Sequence, residues 1–187
     1  LFRHPRYALH DLTGRTLKQT DARGKHLYLV FSGDVVLHVH LRLAGSVYGY
    51  FPRRTPDYRR KFEIKFENGW MCGVDTPVME LIGPDDVDAI NRRLGPDTCG
   101  AYDHQQAVAN VASAEAMPLS GALLDQQLIA GLWNIYAVET PFIVGLSPWT
   151  PVGEIDDLDY LLAIAVAMIR VNARRGPQNT TGRRLTQ

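Results

Sequence analysis

One stretch, residues 119–144, limits what this chain can fold into more than any other. It reads LSGALLDQQLIAGLWNIYAVETPFIV, and its apolar residues recur at helical spacing in two runs, Leu119–Ala130 and Ile135–Val144. The residues between the runs, Gly131-Leu132-Trp133-Asn134, are too few to do more than reverse the chain. The stretch therefore predicts two helices joined by a tight turn.

The start of the second predicted helix is a candidate binding position. Asn134 lies where an N-cap residue is expected. A helix start exposes unpaired N–H groups and the positive end of a dipole, so it suits an anion such as a DNA phosphate. Asp125 and Gln126 lie among apolar residues of the first run and are predicted at the margin of its buried face. A hairpin that only packs a core is the alternative.

The charge balance restricts the partners of this chain. Its 187 residues carry twenty basic and twenty acidic side chains and are 45% hydrophobic, which is typical of a globular protein. No overall field draws such a chain to nucleic acid or to an anionic membrane. Local attraction remains possible at two basic clusters, residues 53–61 and 170–184, although each could be a solvated face.

The cysteines and the apolar segments of the sequence bear on where the protein is located in the cell. Cys72 and Cys99 are too far apart for a metal knuckle and too few for a disulfide framework, which fits a reducing cytoplasm. The apolar run 160–171 is too short to span a bilayer, and no signal peptide opens the sequence. We expect a soluble protein, and because the first residue is Leu1 we interpret the sequence as a segment of a longer chain.

Strands are predicted first and helices afterwards. Two hairpins are expected, with strands at residues 27–32 and 35–42 and at residues 60–67 and 70–75. Ser32-Gly33-Asp34 and Asn68-Gly69 are their turns. After Gly83-Pro84 the pattern becomes helical, with helices expected at 85–94, 103–116, 119–130, 135–144 and 156–172, Asp103 as an N-cap and a turn at 94–97. The order predicts an α+β protein, with an antiparallel two-sheet sandwich or barrel at 1–82 and a helical module at 83–187.

A few side chains in the strand region could carry chemistry. Lys25 follows a glycine at a strand entrance, where a fixed ammonium could contact phosphate or transfer a proton; a surface lysine is the alternative. His38 and His40 share one polar face of a sheet, but a zinc pair would need a third ligand nearby. Leu43 ends its strand before a turn and could wedge into a base stack or pack in the core. No catalytic triad, phosphate loop or paired metal motif is evident.

Five blocks of sequence, taken together, resemble one family. They are ARGKHLYLVF (22–31), LHVHLRLAG (37–45), LGPD (94–97), LLDQQLIAG (123–131) and NIYAVE (134–139). In this order and at these distances they resemble the bacterial formamidopyrimidine-DNA glycosylase and endonuclease VIII family. The segments RHPRYALHDLTGRTL, LSPWTPVGE and RRGPQNTTG are similar to an actinobacterial endonuclease VIII-like branch. The likeness extends over nearly the whole chain.

The resemblance implies an architecture and a reaction. The family has an N-terminal two-sheet β-sandwich, a helix-two-turn-helix module and a C-terminal zinc finger. Its members flip a damaged base out of the duplex, cut its glycosidic bond and nick the strand as lyases. The nucleophile is the amine of an N-terminal proline, and the next residue, a glutamate, moves protons. Neither residue is in this sequence, and we expect the Zn²⁺ of the four-cysteine finger outside residues 1–187.

The resemblance also assigns roles by position. Lys25 matches a lysine that contacts phosphate beside the lesion and assists catalysis. Leu43 matches the wedge that fills the gap left by the flipped base, and Asn134 matches an asparagine that contacts backbone phosphate. Arg42 and His40 lie in the wedge strand and are expected to approach DNA. The carboxylates expected to support the site are Asp97 and Glu139; a solvated helix glutamate is the alternative for the second.

The predicted function follows from this likeness. We expect a monomeric DNA glycosylase and abasic-site lyase that acts in the bacterial cytoplasm, at the nucleoid, on double-stranded DNA with oxidised bases or abasic sites, favouring pyrimidines. Trp133 stands where the family usually has glycine, and an indole there is expected to cause backbone strain or crowding. One alternative is a catalytically inactive paralogue that binds damaged or bent DNA. Another is an interaction module in which the hairpin merely packs.

Overall fold

The chain divides into two compact units in a computed structural model that describes residues 12–42, 45–49 and 57–175. The units are Leu1–Ile90 and Asn91–Gln187. All the described strands lie in the first unit, and the helices that begin after residue 91 lie in the second. The α+β fold predicted from the sequence is confirmed. The division falls after Ile90 rather than after residue 82, because the first helix groups with the strands.

Antiparallel strands form a four-stranded sheet in the order β1-β2-β3-β7. Their bounds are β1 Leu17–Arg23, β2 His26–Phe31, β3 Val35–His40 and β7 Val78–Ile82. β2 and β3 pair from His26 opposite His40 to Phe31 opposite Val35. The connection is therefore the predicted turn, in which Gly33 and Asp34 have φ of 78° and 55°.

A second sheet has three antiparallel strands in the order β4-β6-β5. Their bounds are β4 Ser46–Gly49, β5 Arg60–Phe66 and β6 Gly69–Val74. Phe66 pairs with Gly69, so the two turn residues are Glu67 and Asn68. The predicted hairpin is present, with its turn one residue earlier than expected.

The two sheets bury a common apolar core. Leu29, Leu37 and Val39 face it from the first sheet, and Phe62 faces it from the second. A Cβ at Gly73 would overlap the Phe62 ring, so the glycine lets this ring lie flat against the neighbouring strand. Because both sheets contribute to one core, the strand-rich unit is a two-sheet sandwich.

Five α-helices are described along the rest of the chain. Their bounds are α1 Pro84–Asn91, α2 His104–Ala112, α3 Leu119–Leu124, α4 Asn134–Ile143 and α5 Leu158–Arg175. Asp103 is the N-cap of α2, as predicted, because its side chain accepts a hydrogen bond from Gln106 N at 3.0 Å. Helices α2 to α5 and the segments between them form the core of the second unit. The largest buried side chains of this core are Leu119, Leu123, Ile129, Leu132, Tyr136, Leu161 and Leu162.

The first helix of the predicted hairpin is shorter than expected. α3 ends at Leu124, and Asp125 adopts an extended backbone with φ −73° and ψ 108°. The Asp125 carboxylate accepts a hydrogen bond from Gln127 N at 2.8 Å, so the side chain favours a turn where a helix would continue. Ile129 is nevertheless fully buried. Because Ile129 continues the apolar spacing of α3, the sequence pattern suggested a longer helix. The prediction of a helix to Ala130 was wrong.

Candidate nucleic-acid interface

Lys25 lies in the two-residue turn between β1 and β2. Gly24 has φ of 57°, a left-handed conformation that glycine adopts without strain. Arg23 and His26 pair across the turn, which fixes its length. Lys25 is half-buried, and this burial lowers the pKa of its amine. A cation partly removed from water at a fixed turn is suited to contact a phosphate.

His40 and Arg42 lie at the same end of the sheet as this turn. His40 is the last residue of β3 and pairs with His26, the first residue of β2. Burial lowers the pKa of His40 first, and the charges of His38, Lys25 and Arg42 lower it further. The backbone N–H of Arg42 donates to His40 Nδ1 at 3.3 Å. Three of the residues predicted to serve DNA, Lys25, His40 and Arg42, are therefore brought together.

A stack of rings extends from this end along the sheet. The rings of His26 and His38 are 5.1 Å apart and inclined by 15°, and Tyr28 stacks on His38 at 5.2 Å. His40 meets His26 edge-on at 4.6 Å. His38 and His40 share one side of the sheet, as predicted. His38, however, is only 3% exposed, so the expected polar face is covered at this position.

The buried rings are held by polar contacts that the sequence interpretation missed. His26 Nδ1 and His38 Nε2 are 2.8 Å apart, and His38 Nδ1 lies 3.4 Å from Glu80 Oε2. Burial lowers the pKa of His26 to about 4, and the neighbouring His40 and His38 contribute. Burial also lowers the pKa of His38, against the opposing effect of Glu80. The period-two spacing of His26, Tyr28, His38 and His40 was visible in the sequence; Glu80 was not a visible partner.

The ring stack does not form a metal centre. Within residues 12–42, 45–49 and 57–175, no group of three or more His, Cys, Asp or Glu side chains is placed to hold a metal ion. The His26 and His38 nitrogens face each other directly instead of converging on a shared point. The Zn²⁺ that the resemblance implies for a finger outside residues 1–187 stays a prediction.

The wedge residue predicted by the resemblance, Leu43, lies outside the described residues, so its role stays a prediction. The basic cluster at 53–61 is described only from residue 57. There, Arg59 Nε donates to Asp75 at 2.7 Å, and Arg60 donates to Glu63 at 2.6 Å. The charges of these two arginines are balanced by carboxylates in or next to the second sheet.

Asn134 is the first residue of α4, and the N-cap is Trp133. The prediction that Asn134 caps the helix was wrong. The Trp133 carbonyl accepts the first helical hydrogen bonds, from Tyr136 N at 2.9 Å and Ala137 N at 3.1 Å. Asn134 is exposed, and its amide has no hydrogen-bond partner among the described residues, which leaves it available to a ligand.

Trp133 does not strain the helix start. Its φ of −121° and ψ of 170° are ordinary extended values that any residue adopts. The indole is 41% exposed, so it is not forced into the core. The expectation of strain at this position was wrong, because the left-handed residue of the turn is Gly131, with φ of 98°.

Gln126 holds the turn that precedes Asn134. Its Oε1 accepts a hydrogen bond from Gly131 N at 2.9 Å, and its Nε2 donates to Leu124 O at 3.0 Å and Leu132 O at 3.2 Å. One side chain thus satisfies three backbone groups on both sides of the turn. The sequence placed Gln126 at the edge of a helix and missed this role; a glutamine beside an aspartate in an apolar run was the available signal.

Asp97 lies beneath the same turn. It is 5% exposed and forms a parallel β-bridge with Ala130. Thr98 N donates to Ala130 O at 3.0 Å, and a Cβ at Gly131 would lie 3.2 Å from Asp97 Oδ1 and overlap Thr98 Oγ1. Residues 94–97, predicted as a turn, lie between turns at 92–93 and 98–99, and Asp97 forms the bridge. The placement suits a supporting residue, whereas half-buried Glu139 has no described hydrogen bond and its role stays a prediction.

The last helix is connected to this support. Arg170 Nε donates to Thr98 O at 2.8 Å, and its guanidinium lies over the Tyr102 ring, 5.3 Å from the centroid. The start of α4 thus rests on residues from three separate parts of the helical unit. A fixed helix start with exposed N–H groups and a free amide is suited to a backbone phosphate.

Comparison with known proteins agrees with this architecture. A sequence model of the formamidopyrimidine-DNA glycosylase N-terminal domain matches residues 2–76. "Probable endonuclease 8 2" of Streptomyces coelicolor is 34% identical over 98% of this chain and 69% of its own length. "Endonuclease 8 2" of Mycobacterium tuberculosis is 36% identical over 96% of this chain and 72% of its own length. "DNA-(apurinic or apyrimidinic site) lyase Nei2" of Mycolicibacterium smegmatis is 32% identical over 96% and 71%.

A solved structure has the same fold. The Lactococcus lactis formamidopyrimidine-DNA glycosylase, non-covalently bound to DNA containing an abasic site, aligns with a TM-score of 0.72 and 25% identity. The alignment covers 87% of this chain and 65% of that one, so this chain spans just under two thirds of its length.

The β-sandwich followed by a helical unit, together with these similarities, places the chain in a class of DNA-repair glycosylases. The chain belongs to the formamidopyrimidine-DNA glycosylase and endonuclease VIII family. Among the helices of the described ranges, none has the length and apolar content needed to cross a bilayer.

Proposed function

We propose that this protein is a bifunctional DNA glycosylase and abasic-site lyase that removes oxidised bases, pyrimidines in preference to oxidised guanine, from double-stranded DNA. The observation that carries the proposal is the meeting of Lys25, His40 and Arg42 at one end of the sheet. Similarity over almost the whole chain to proteins named endonuclease 8, and to one named an abasic-site lyase, supports it.

The residues divide into two groups of contacts. On the strand-rich unit, Lys25 and Arg42 supply positive charge for phosphates beside the lesion, while Leu43 is proposed to fill the gap left by a flipped base. On the helical unit, Asn134 and the first N–H groups of α4 contact backbone phosphate. Base flipping is needed because the sugar carbon cannot be attacked within the stack.

The remaining features are proposed from the family. The protein is proposed to act as a monomer in the cytoplasm, at the nucleoid, on DNA with oxidised bases or abasic sites. The nucleophilic proline, its neighbouring glutamate and the Zn²⁺ finger are proposed to lie outside residues 1–187.

Borohydride trapping with the complete chain tests the proposal. Duplexes that carry an oxidised pyrimidine, an oxidised guanine or an abasic site are incubated with the protein, with and without borohydride. We expect base release and a nick, fastest for the pyrimidine, and a covalent adduct only with borohydride, because the reductant fixes the Schiff base. An undamaged duplex is the control.

Two outcomes would count against the enzyme. Tight binding to the abasic-site duplex with no nick and no adduct would favour the inactive, DNA-binding paralogue. Weak binding that ignores salt concentration would favour an interaction module, since phosphate contacts always bring salt dependence.

A further inference from the structure

Glu80, His38 and His26 form a row of hydrogen-bonded titratable groups. It crosses three neighbouring strands: His26 on β2, His38 on β3 and Glu80 on β7. His38 pairs directly with Glu80, and His26 pairs with His40, two residues beyond His38. The resulting contacts are 3.4 Å from Glu80 Oε2 to His38 Nδ1 and 2.8 Å from His38 Nε2 to His26 Nδ1.

The direction of these hydrogen bonds follows from what each group can donate. An ionised carboxylate only accepts, so the neutral His38 ring carries its proton on Nδ1 and presents a lone pair at Nε2. His26 must then donate from Nδ1, which leaves its own lone pair on Nε2. That nitrogen has no hydrogen-bond partner among the described residues, so His26 ends the chain as a proton acceptor.

The His40 ring carries its proton on the other nitrogen. Because the Arg42 N–H donates to His40 Nδ1, the proton of neutral His40 is on Nε2. His26 and His40 therefore present one acceptor and one donor side by side, at the end of the sheet that carries Lys25.

The row of Glu80, His38 and His26 has one end that reaches water and a buried middle. The His38 side chain is 4% exposed, whereas that of Glu80 is 41% exposed and reaches water. The charged groups that face the rings are Lys25 from the β1–β2 turn, Arg42 after β3 and Glu80 from β7. The pKa of His26, lowered to about 4 by burial, keeps its ring neutral at pH 7, with a lone pair on one nitrogen.

We propose that Glu80, His38 and His26 form a proton-transfer chain that connects the Lys25 end of the sheet with solvent. This inference rests on the proposed lyase function and adds a proton acceptor to it. In strand cleavage by elimination, the carbon next to the iminium loses a proton, and the iminium takes up the freed electron pair to give an enamine. The enamine returns this pair to form a carbon–carbon double bond, the phosphate leaves with the electrons of its carbon–oxygen bond, and the iminium is restored. One proton must therefore be accepted.

The proton balance closes along the observed contacts. His26 takes the proton at Nε2 and passes its Nδ1 proton to His38 Nε2. His38 passes its Nδ1 proton to Glu80, which releases it to water. Both rings end neutral with the proton on the other nitrogen, and the reverse sequence returns a proton from solvent when a later step requires an acid. His26 is the terminal acceptor, and His38 and Glu80 are positioning residues that act through it.

The tautomers can be tested without any reaction. In the ¹⁵N spectrum of the complete, histidine-labelled chain at pH 7, we expect His26 and His38 to carry their protons on Nδ1 and His40 on Nε2. Glu80→Gln keeps an acceptor oxygen and should preserve this pattern, whereas His38→Phe should release His26 to a mixture of tautomers. A parent spectrum with the His26 proton on Nε2 would overturn the proposed proton-transfer chain, whether or not the protein is a lyase.

Rescue by imidazole tests the proton transfer. We expect His26→Ala to nick abasic-site DNA about 100-fold more slowly than the parent, with DNA affinity within about threefold, because an acid–base group has been removed. Added imidazole should recover at least about tenfold of this rate. His104→Ala is the matched control, since His104 also binds a carboxylate, Asp159 at 3.1 Å, but in the helical unit; it should nick like the parent and ignore imidazole.

The failures can be separated from each other. If the parent itself does not nick abasic-site DNA, the proposed function fails while the tautomer test still stands. If the parent nicks and His26→Ala nicks equally fast, the proton-transfer chain is wrong. A slow His26→Ala that imidazole does not restore also overturns it, because the loss would then be structural.

Discussion

The side-chain oxygen of Gln126 accepts a hydrogen bond from the backbone N–H of Gly131 at 2.9 Å, and this contact sets the turn before the candidate phosphate-binding helix. The same side chain donates to carbonyls on either side of the turn, those of Leu124 and Leu132. Gly131 is buried, so water does not readily replace the partner of its N–H. The Gln126 amide is thus one of the supports of the start of α4.

Removal of this amide should destabilise the helical unit. We expect Gln126→Ala to lower the free energy of unfolding by about 2–3 kcal/mol, since buried backbone groups lose their partners. Urea unfolding measures the change. Gln105→Ala is the control, because the Gln105 amide is exposed and makes only a 3.4 Å contact with Asp159; it should change stability by less than about 0.5 kcal/mol. Equal stability of the two variants would contradict the role of Gln126.

Gly131 and Gly145 both have positive φ, but only at Gly131 would an added Cβ overlap another atom, so the two positions distinguish backbone strain from steric overlap. Gly131→Ala places a Cβ onto Thr98 Oγ1 as well as forcing alanine to φ of 98°, whereas Gly145 has φ of 75° with no atom within 4 Å of the added Cβ. We expect Gly145→Ala to lower the free energy of unfolding by about 1 kcal/mol and Gly131→Ala by about 3 kcal/mol or more. Thermal and urea unfolding measure both. If the two losses match, the packing of Gly131 against Thr98 is unimportant.

Replacement of Lys25 should weaken DNA binding through charge. For Lys25→Ala we expect lower affinity for an abasic-site duplex and a salt dependence whose log–log slope decreases by about 1. Titrations at several salt concentrations measure it. Lys18→Ala removes an equal charge from an exposed position in β1 and is the control. A parent-like slope for Lys25→Ala would remove Lys25 from the interface.

Asn134 should contribute to binding without contributing to folding. Asn134→Ala removes an exposed amide that has no described hydrogen bond, so we expect unchanged stability and an affinity for DNA reduced about 5- to 10-fold. The control is Val138→Ala, one turn further along α4 and 55% exposed. A loss of affinity as large for Val138→Ala would show that the effect is not specific to the helix start.

The buried rings should make the strand-rich unit sensitive to mild acid. Burial lowers the pKa of His26 to about 4 from its ordinary value of 6.5, and the pKa values of His38 and His40 are lowered too. Below the ordinary value the unfolded chain binds protons that the folded rings refuse, so stability is full above about pH 6.5 and falls toward pH 4. Urea unfolding at intervals of pH measures this, and His26→Phe should flatten the decline. A decline of the same steepness in His26→Phe would contradict the assignment.

Much of the fold was determined by local sequence patterns. Period-two alternation and the turn residues between the strands predicted both hairpins, because a strand exposes every second side chain to the same face. Asp103 was recognisable as an N-cap because its bond to Gln106 spans three residues. The family resemblance indicated Lys25 and Asn134; Lys25 is half-buried in a turn and Asn134 is exposed at the start of α4, and their phosphate contacts stay predictions.

Only the tertiary structure decided the features that join distant residues. The carboxylate of Glu80 meets His38 across 42 positions of sequence, and the support of Gly131 by Thr98 spans more than thirty, so no local pattern could reveal either contact. The end of α3 at Leu124 is a different case. The hydrogen bonds of Asp125 and Gln126 are local, two and five residues apart, but the apolar spacing up to the buried Ile129 fitted a longer helix equally well, and only the structure shows that the turn is formed.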